Sequence, residues 1–490
     1  MLFNSYTFFV FFAAVLLLYN LPVTWQAKKI ILLVSSFVFY AAWNPPFILL
    51  LWLSTVVDFE VGRRLYHQQD PVKKKLLLII SLAGNLGMLF FFKYGGFLLE
   101  NFVALSSALG FDYNPAKPDI ILPAGISFYT FTTLSYTIDM YKRESPPVKS
   151  LLDFSLFVTF FPHLVAGPIV RPPQLVPQFE TPRKATSKQF TQGLFLLTLG
   201  LFMKVFLADN MLASISDSVF NARMPLQTLD SWMGVLAFSG QIFFDFAGYS
   251  TCAIGIAATL GFVLPENFRY PYAAVGFSDF WRRWHITLSA WLRDYLYIPL
   301  GGNRKGNVRT YINLMVTMLL GGLWHGASWT FVAWGALHGL FLCVERGIKG
   351  FTDSRKKVAA SELVMKSSLG PTLTANNGFG QLALALFTFF LVNVTWVFFR
   401  APDFRSAGGM LASMFGLIPK GAPLLSTLDI LKVGIITVVL LVCHWLMRNT
   451  SVLAVAEKTR WWVLGAVWAV MLMLLLLSQE ESNAFIYFQF

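Results

Sequence analysis

An all-helical (all-α), polytopic membrane protein is the fold class that the sequence predicts, on three observations. Hydrophobic residues make up 56% of the 490-residue chain and charged ones only 13%, too few polar side chains to coat a soluble globule. Apolar runs such as TFFVFFAAVLLLYNLP and WWVLGAVWAVMLMLLLLS approach the roughly 20 residues that a helix needs to cross a bilayer core. Much of the lysine and arginine lies in short loops between such runs, where it orients helices in a membrane. The formal net charge of +13 is therefore a topology signal, with the lipid bilayer as partner and no nucleic acid expected.

The apolar runs lie near 5–22, 30–43, 46–60, 76–95, 119–139, 151–168, 190–208, 231–263, 309–345, 379–400, 428–447 and 461–478. Basic clusters at Lys28 and Lys29, at 63–75, at Lys142 and Arg143, at 183–188, at 304–309 and at 345–357 belong on the cytoplasmic side. Loops at 96–118 and 209–230 carry few positive charges and belong outside. That placement predicts an outside N-terminus and about eleven or twelve crossings. The first run has neither a basic leader nor an A-x-A cleavage site and reads as a retained helix. Arg448, Lys458 and Arg460 precede the last run on the inner side, so the C-terminus emerges on the extracytoplasmic face. Residues 1–480 read as one transmembrane domain with a polar cytoplasmic loop at 348–378, and residues 481–490 as a tail.

Two segments resist simple spanning. Residues 151–168 run into RPPQLVPQF, whose prolines stop helices, and basic residues flank both sides; a re-entrant dip is expected. Residues 309–345 are too long for one helix and barely long enough for two, with GGLWHGASW at the midpoint. A bend back within the membrane is expected there, and irregular backbone at that depth is tolerated only where it lines a protein cavity. Cys252, Cys343 and Cys443 sit far apart in apolar segments and read as buried, inert thiols.

Histidines are the titratable groups that stand out. No phosphate-cradling G-x-x-x-x-G-K-[ST], no HExxH and no G-x-S-x-G occurs, so neither a bound metal nor nucleotide hydrolysis is expected. His325 lies at the glycine-rich bend beside Trp324 and Gly326, where a partly desolvated imidazole suits a general base; the bland alternative is a bond to a carbonyl freed by the break. His285 belongs to FSDFWRRWHITLSAWLRDYLYIPLGG, 277–302, read at helical spacing. Phe277, Phe280, Trp281, Trp284, Leu288, Trp291 and Tyr295 then form an aromatic stripe, with Asp279, Arg282, His285, Ser289 and Arg293 opposite. Such a helix either lies in the cytoplasmic interface or lines, with Arg282, Arg293 and Trp324, a funnel for an anionic donor. His338, between glycines 335 and 339, suits a structural hydrogen bond, and His163 has no role legible in the sequence. His444 reads as a headgroup-level residue near a helix end, and His67 as part of a basic loop.

The chain ends in SNAFIYFQF. Either Phe485, Ile486, Phe488 and Phe490 pack into a groove or they anchor the tail while Tyr487 is delivered to a site.

DFAGYSTCAIGIAATLGFVLPENFRYPY (245–272), FSDFWRRWHITLSAWLRDYLYIPLGGNRKG (277–306) and LLGGLWHGASWTFVAWGALHG (319–339) resemble the membrane-bound O-acyltransferase family. FNSYTFFVFF and LPAGISFYTF (122–131) fit its bacterial polysaccharide O-acetylating branch, typified by the alginate O-acetyltransferase membrane subunit. The resemblance implies a helical bundle thinned at its centre, where a cytoplasmic funnel and an outer cavity meet at a catalytic histidine. That histidine maps onto His325, and a second, less universal one onto His285. It implies an inner-membrane enzyme that takes an acyl group from acetyl-CoA or an acyl carrier protein and works with a separate extracytoplasmic polysaccharide acetyltransferase. FIYFQF is similar to the aromatic terminus of a small membrane protein of teichoic-acid D-alanylation, which implies Tyr487 as an acyl relay anchored by Phe485, Phe488 and Phe490. A phenol, with a pKa near 10, forms an ester that remains a good acyl donor.

Peptidoglycan O-acetylation and D-alanine transfer belong to the same class of reaction. A proton-coupled transporter or flippase is the reading from a different class. The absence of inverted repeats counts against it, as does the sequence's single evident buried carboxylate, Asp245.

Overall fold

A computed structural model describes residues 1–116, 120–222, 225–364, 378–418 and 421–478, with the side chains of 352–364 excepted. Among the described residues every regular element is a helix, and the one extended pairing is an isolated bridge between Leu226 and Ala422. Helix starts follow local chemistry. Ser5 accepts from the Phe8 N–H at 3.2 Å, and Asp70 accepts from the Val72 N–H at 2.8 Å directly ahead of Pro71, whose missing N–H costs nothing at that position.

Among the described residues six helices are long and apolar enough to cross a membrane: Pro71–Ala108, Ser187–Phe220, Thr228–Thr259, Trp329–Phe351, Gly378–Arg400 and Thr427–Met447. Tyr6–Tyr19 and Trp461–Leu477 are shorter apolar helices. Leu17, Leu446 and Leu476 are 73%, 73% and 71% exposed, an arrangement that suits lipid and not water. The protein is a multi-pass membrane protein.

The chain divides into two units, Met1–Leu212 with Gln241–Asn267 and Val455–Phe490, and Ala213–Gly240 with Phe268–Ala454. In the first, glycines let backbones meet. A Cβ on Gly193 would stand 2.7 Å from the Gly255 carbonyl oxygen, and one on Gly200 2.5 Å from that of Gly248. Just beyond this seam the backbone is π-helical over Phe202–Ala213, which places residues five apart on one face, and the Lys204 ammonium reaches Asp209 at 2.8 Å and Asp245 at 2.5 Å. Asp58, also buried, accepts from Ser81 at 2.6 Å and from Asn85 at 2.8 Å. Asp245 is thus not the lone buried carboxylate that the sequence displays; its partners come from separate segments, or from a register that only the π-helix creates.

Leu151–Thr159 has 9 residues, about 14 Å at 1.5 Å per residue, too short to cross and compatible with the expected dip. Other expectations change. The prolines after Thr159 open a helix, Pro172–Glu180, since Pro172 and Pro173 occupy its first turn, where proline is tolerated. The stretch read as a polar loop at 348–378 is helical as far as Val364, because DSRKKVAASELV contains no glycine or proline to stop it. Cys443 is exposed and Cys343 half-buried; only Cys252 is buried. His444 is buried within the protein, where its Nδ1 accepts the Tyr272 N–H at 3.2 Å.

In the second unit, Gly306–His325 and Trp329–Val364 form an antiparallel pair, so the apolar stretch 309–345 does make two helices, the second continuing well past it. The pair closes on Gly322 and Gly335. A Cβ on Gly322 would lie 2.3 Å from the Phe331 carbonyl oxygen, so Gly322→Ala is expected to lower stability by about 1–3 kcal/mol, read as a fall in the thermal midpoint of the detergent-solubilised protein. An unchanged midpoint would mean that the two helices can part without cost.

Candidate active site

The break between those helices sits where the sequence places it. His325 is the last helical residue, and Gly326 is extended with φ −161°. The glycine is needed for space: a Cβ there would stand 2.1 Å from the Phe331 ring. His325 thereby occupies the carbonyl end of a 20-residue helix, whose partial negative charge favours an imidazolium when one forms. Its ring lies 5.0 Å from those of Trp324 and Trp334 and 5.3 Å from that of Phe399. Only 2% of His325 is exposed, so a reactant could reach it only when surrounding side chains move.

His285 does not lie mid-helix. The helix expected through 277–302 is broken into Phe277–Phe280, Ile286–Leu292 and a π-helical turn, Arg293–Tyr297. At the break His285 takes φ +41°, a left-handed backbone uncommon for a residue with a side chain, and strain of that kind gathers at functional sites. The ring is fully buried, and burial pushes its pKa down to about 3, so it is neutral at any physiological pH. Trp324 bridges the two histidines, 5.0 Å from the His325 ring and 6.0 Å from that of His285. Three of the residues chosen from the sequence are therefore one cluster.

Arg282 and Arg293 are not part of it. The break removes the shared polar face that the helical reading assumed: Arg282 is exposed, and Arg293 pairs with Asp294 at 2.6 Å. The aromatic stripe survives because Phe277, Phe280, Trp284, Leu288 and Trp291 are all buried. His163 is buried in the turn after Leu151–Thr159, where Gly167 packs against its Cα. Tyr487, Phe485, Phe488 and Phe490 lie outside the described residues.

Residues that the sequence did not single out complete the cluster. Trp334 stands four positions before His338, so one turn of helix puts both rings on one face, 4.6 Å apart. That spacing was the available signal; Phe399 and Thr395 come from another helix and had none. His338 Nε2 lies 3.0 Å from Thr395 Oγ1, and that hydroxyl gives its own proton to the Val392 carbonyl at 2.7 Å. With that proton on the carbonyl, Nε2 donates to the hydroxyl and Nδ1 of His338 is an acceptor. No group of three or more His, Cys, Asp or Glu side chains placed to hold a metal occurs among the described residues.

The model of the membrane-bound O-acyltransferase family matches residues 141–359, which include His163, His285, His325 and His338. A probable alginate O-acetylase, AlgI, of Pseudomonas putida is 40% identical over 419 residues, 85% of this chain and 80% of that protein. The chain belongs to the membrane-bound O-acyltransferase family. It is an O-acyltransferase of the alginate O-acetylase branch. A peptidoglycan O-acetyltransferase of Helicobacter pylori is 37% identical over 415 residues, 79% of this chain and 74% of that protein. A teichoic acid D-alanyltransferase of Streptococcus thermophilus is 30% identical over 301 residues, 56% of this chain and 69% of that protein.

Proposed function

We propose that this O-acyltransferase takes an acetyl group from a cytoplasmic thioester, acetyl-CoA or an acyl carrier protein, and hands it across the bacterial inner membrane for O-acetylation of an exported, alginate-like polysaccharide. His325 is the base and Tyr487 the acyl relay on the extracytoplasmic side, with Phe485, Phe488 and Phe490 anchoring the tail. The observation that carries this reading is the seat of His325: a buried imidazole at the carbonyl end of an interrupted helix, inside the matched family region. The base takes the phenolic proton as the oxygen attacks the thioester carbon; the C–O bond forms, the C–S bond breaks, and the departing thiolate recovers a proton from the imidazolium. The aryl ester keeps enough transfer potential for a downhill move to a sugar hydroxyl. A separate extracytoplasmic acetyltransferase completes that move.

Incubation of the purified protein with labelled acetyl-CoA or acetylated carrier protein, followed by peptide mass spectrometry, tests the reading. Label is expected on Tyr487, and Tyr487→Phe is expected to abolish both the label and acetylation of the exported polymer. Full polymer acetylation by Tyr487→Phe would reduce the tail to an anchor. A second reading changes the polymer alone: the identity to the Helicobacter pylori protein favours peptidoglycan as an alternative acceptor, which analysis of acetylated wall material from the same cells distinguishes.

A further inference from the structure

Around His325 the buried hydrogen-bonding groups are not balanced. Trp334 is fully buried, and its indole N–H meets no acceptor among the described residues. Trp281 carries a second such N–H, and its ring lies 5.8 Å from that of Trp334 and 5.3 Å from that of His338. The opposite polarity is supplied by His338 Nδ1, a buried lone pair that likewise meets no partner among the described residues. Leaving a donor unsatisfied in a protein interior is costly, and an apolar group of the same shape would avoid that cost. A buried group kept against stability in this way is expected to serve a function.

Trp334 is set against His325, as is the ring of its chain neighbour Trp324, but Trp334 comes from the facing helix. Its ring stands 5.0 Å from the imidazole and nearly perpendicular to it, at 87°. During acyl transfer at that imidazole the carbonyl oxygen of the acyl group gains negative charge, and it accepts hydrogen bonds but donates none. The His338 lone pair repels such an oxygen, whereas an indole N–H attracts it.

We propose that the Trp334 indole N–H is the donor that stabilises the acyl oxygen as negative charge develops on it. This deepens the reading of His325 as the transfer centre and rests on it. As the hydroxyl oxygen attacks and His325 takes its proton, the new C–O bond forms and the carbonyl π pair moves onto the acyl carbonyl oxygen, where Trp334 holds it. When the pair returns, the C–S bond breaks and the thiolate leaves with the proton from His325. Trp334 itself gains and loses no proton.

The test is covalent acyl loading of the purified full chain from labelled acetyl-CoA or acetylated carrier protein, followed in time for wild type, Trp334→Phe and a variant with benzothienylalanine at position 334. The last keeps the bicyclic shape and replaces N–H by sulfur, so it remains informative if Trp334→Phe folds poorly. Loss of one such donor is expected to slow the maximal loading rate about 10²–10³-fold with little change in the donor concentration at half-rate, and without a lower thermal midpoint for the isostere. Loading by the isostere at the wild-type rate would overturn the proposal, as would a raised half-rate concentration with an unchanged maximal rate. A wild-type protein that takes up no label would instead overturn the reading of His325 on which the proposal rests.

Discussion

His325→Ala is expected to abolish acyl loading and polymer acetylation while the protein still inserts in the membrane and purifies as a folded species. The size of the effect follows from two losses. Removal of a positioned base costs about 10²–10⁴ in rate. The helix end contributes as well, because the carbonyls that close Gly306–His325 stabilise the imidazolium formed in the transfer, and that assistance disappears with the ring. Folding survives because the neighbouring rings, Trp324, Trp334 and Phe399, remain to close the site, and the break is maintained by Gly326 against Phe331 independently of the imidazole. The measurement pairs loading from labelled thioester with gel filtration and thermal unfolding in detergent. Activity retained within about tenfold of wild type would remove His325 from the reaction.

Lys204→Met is expected to have the largest effect on stability. The Lys204 side chain is 7% exposed and those of Asp209 and Asp245 are 3% and 2%. Removal of the ammonium leaves two desolvated carboxylates within reach of each other, and breaking a buried pair from one side costs about 3–5 kcal/mol. The charges lie in segments long and apolar enough to span a membrane, where few water molecules are at hand to relieve them. A large drop in the thermal midpoint, or failure to accumulate, is the expected result. Lys204→Met combined with Asp209→Asn and Asp245→Asn should recover much of the loss, since no charge then remains to be buried. If the single variant is as stable as wild type, the cluster is open to water and is not a structural ion group.

The site was unevenly legible in the sequence. His325 was visible because a histidine among glycines in the middle of an apolar stretch departs from the pattern of a spanning helix, and the structure breaks the helix at that residue. His285 was visible as a histidine where an interface would use lysine, but its geometry was not. Helical spacing placed it on one face with Arg282 and Arg293, and the left-handed turn at His285 undoes that register. Trp334 and Thr395 were hidden for a different reason: an aromatic or a threonine in an apolar run looks like packing until its neighbours are known.

What the sequence by itself determined is the chemistry of the medium and the places where helices fail. Hydrophobic excess commits the chain to a bilayer, and glycines mark the backbone approaches, because each of these is a property of local composition. Only the tertiary structure decided which side chains meet. The alignment of Lys204 with Asp209 needs a π-helical turn, the tautomer of His338 is set by Thr395 from another helix, and Trp324 joins two histidines forty positions apart. Such encounters depend on backbone register and helix packing, to which distant residues contribute jointly, and no local pattern encodes them.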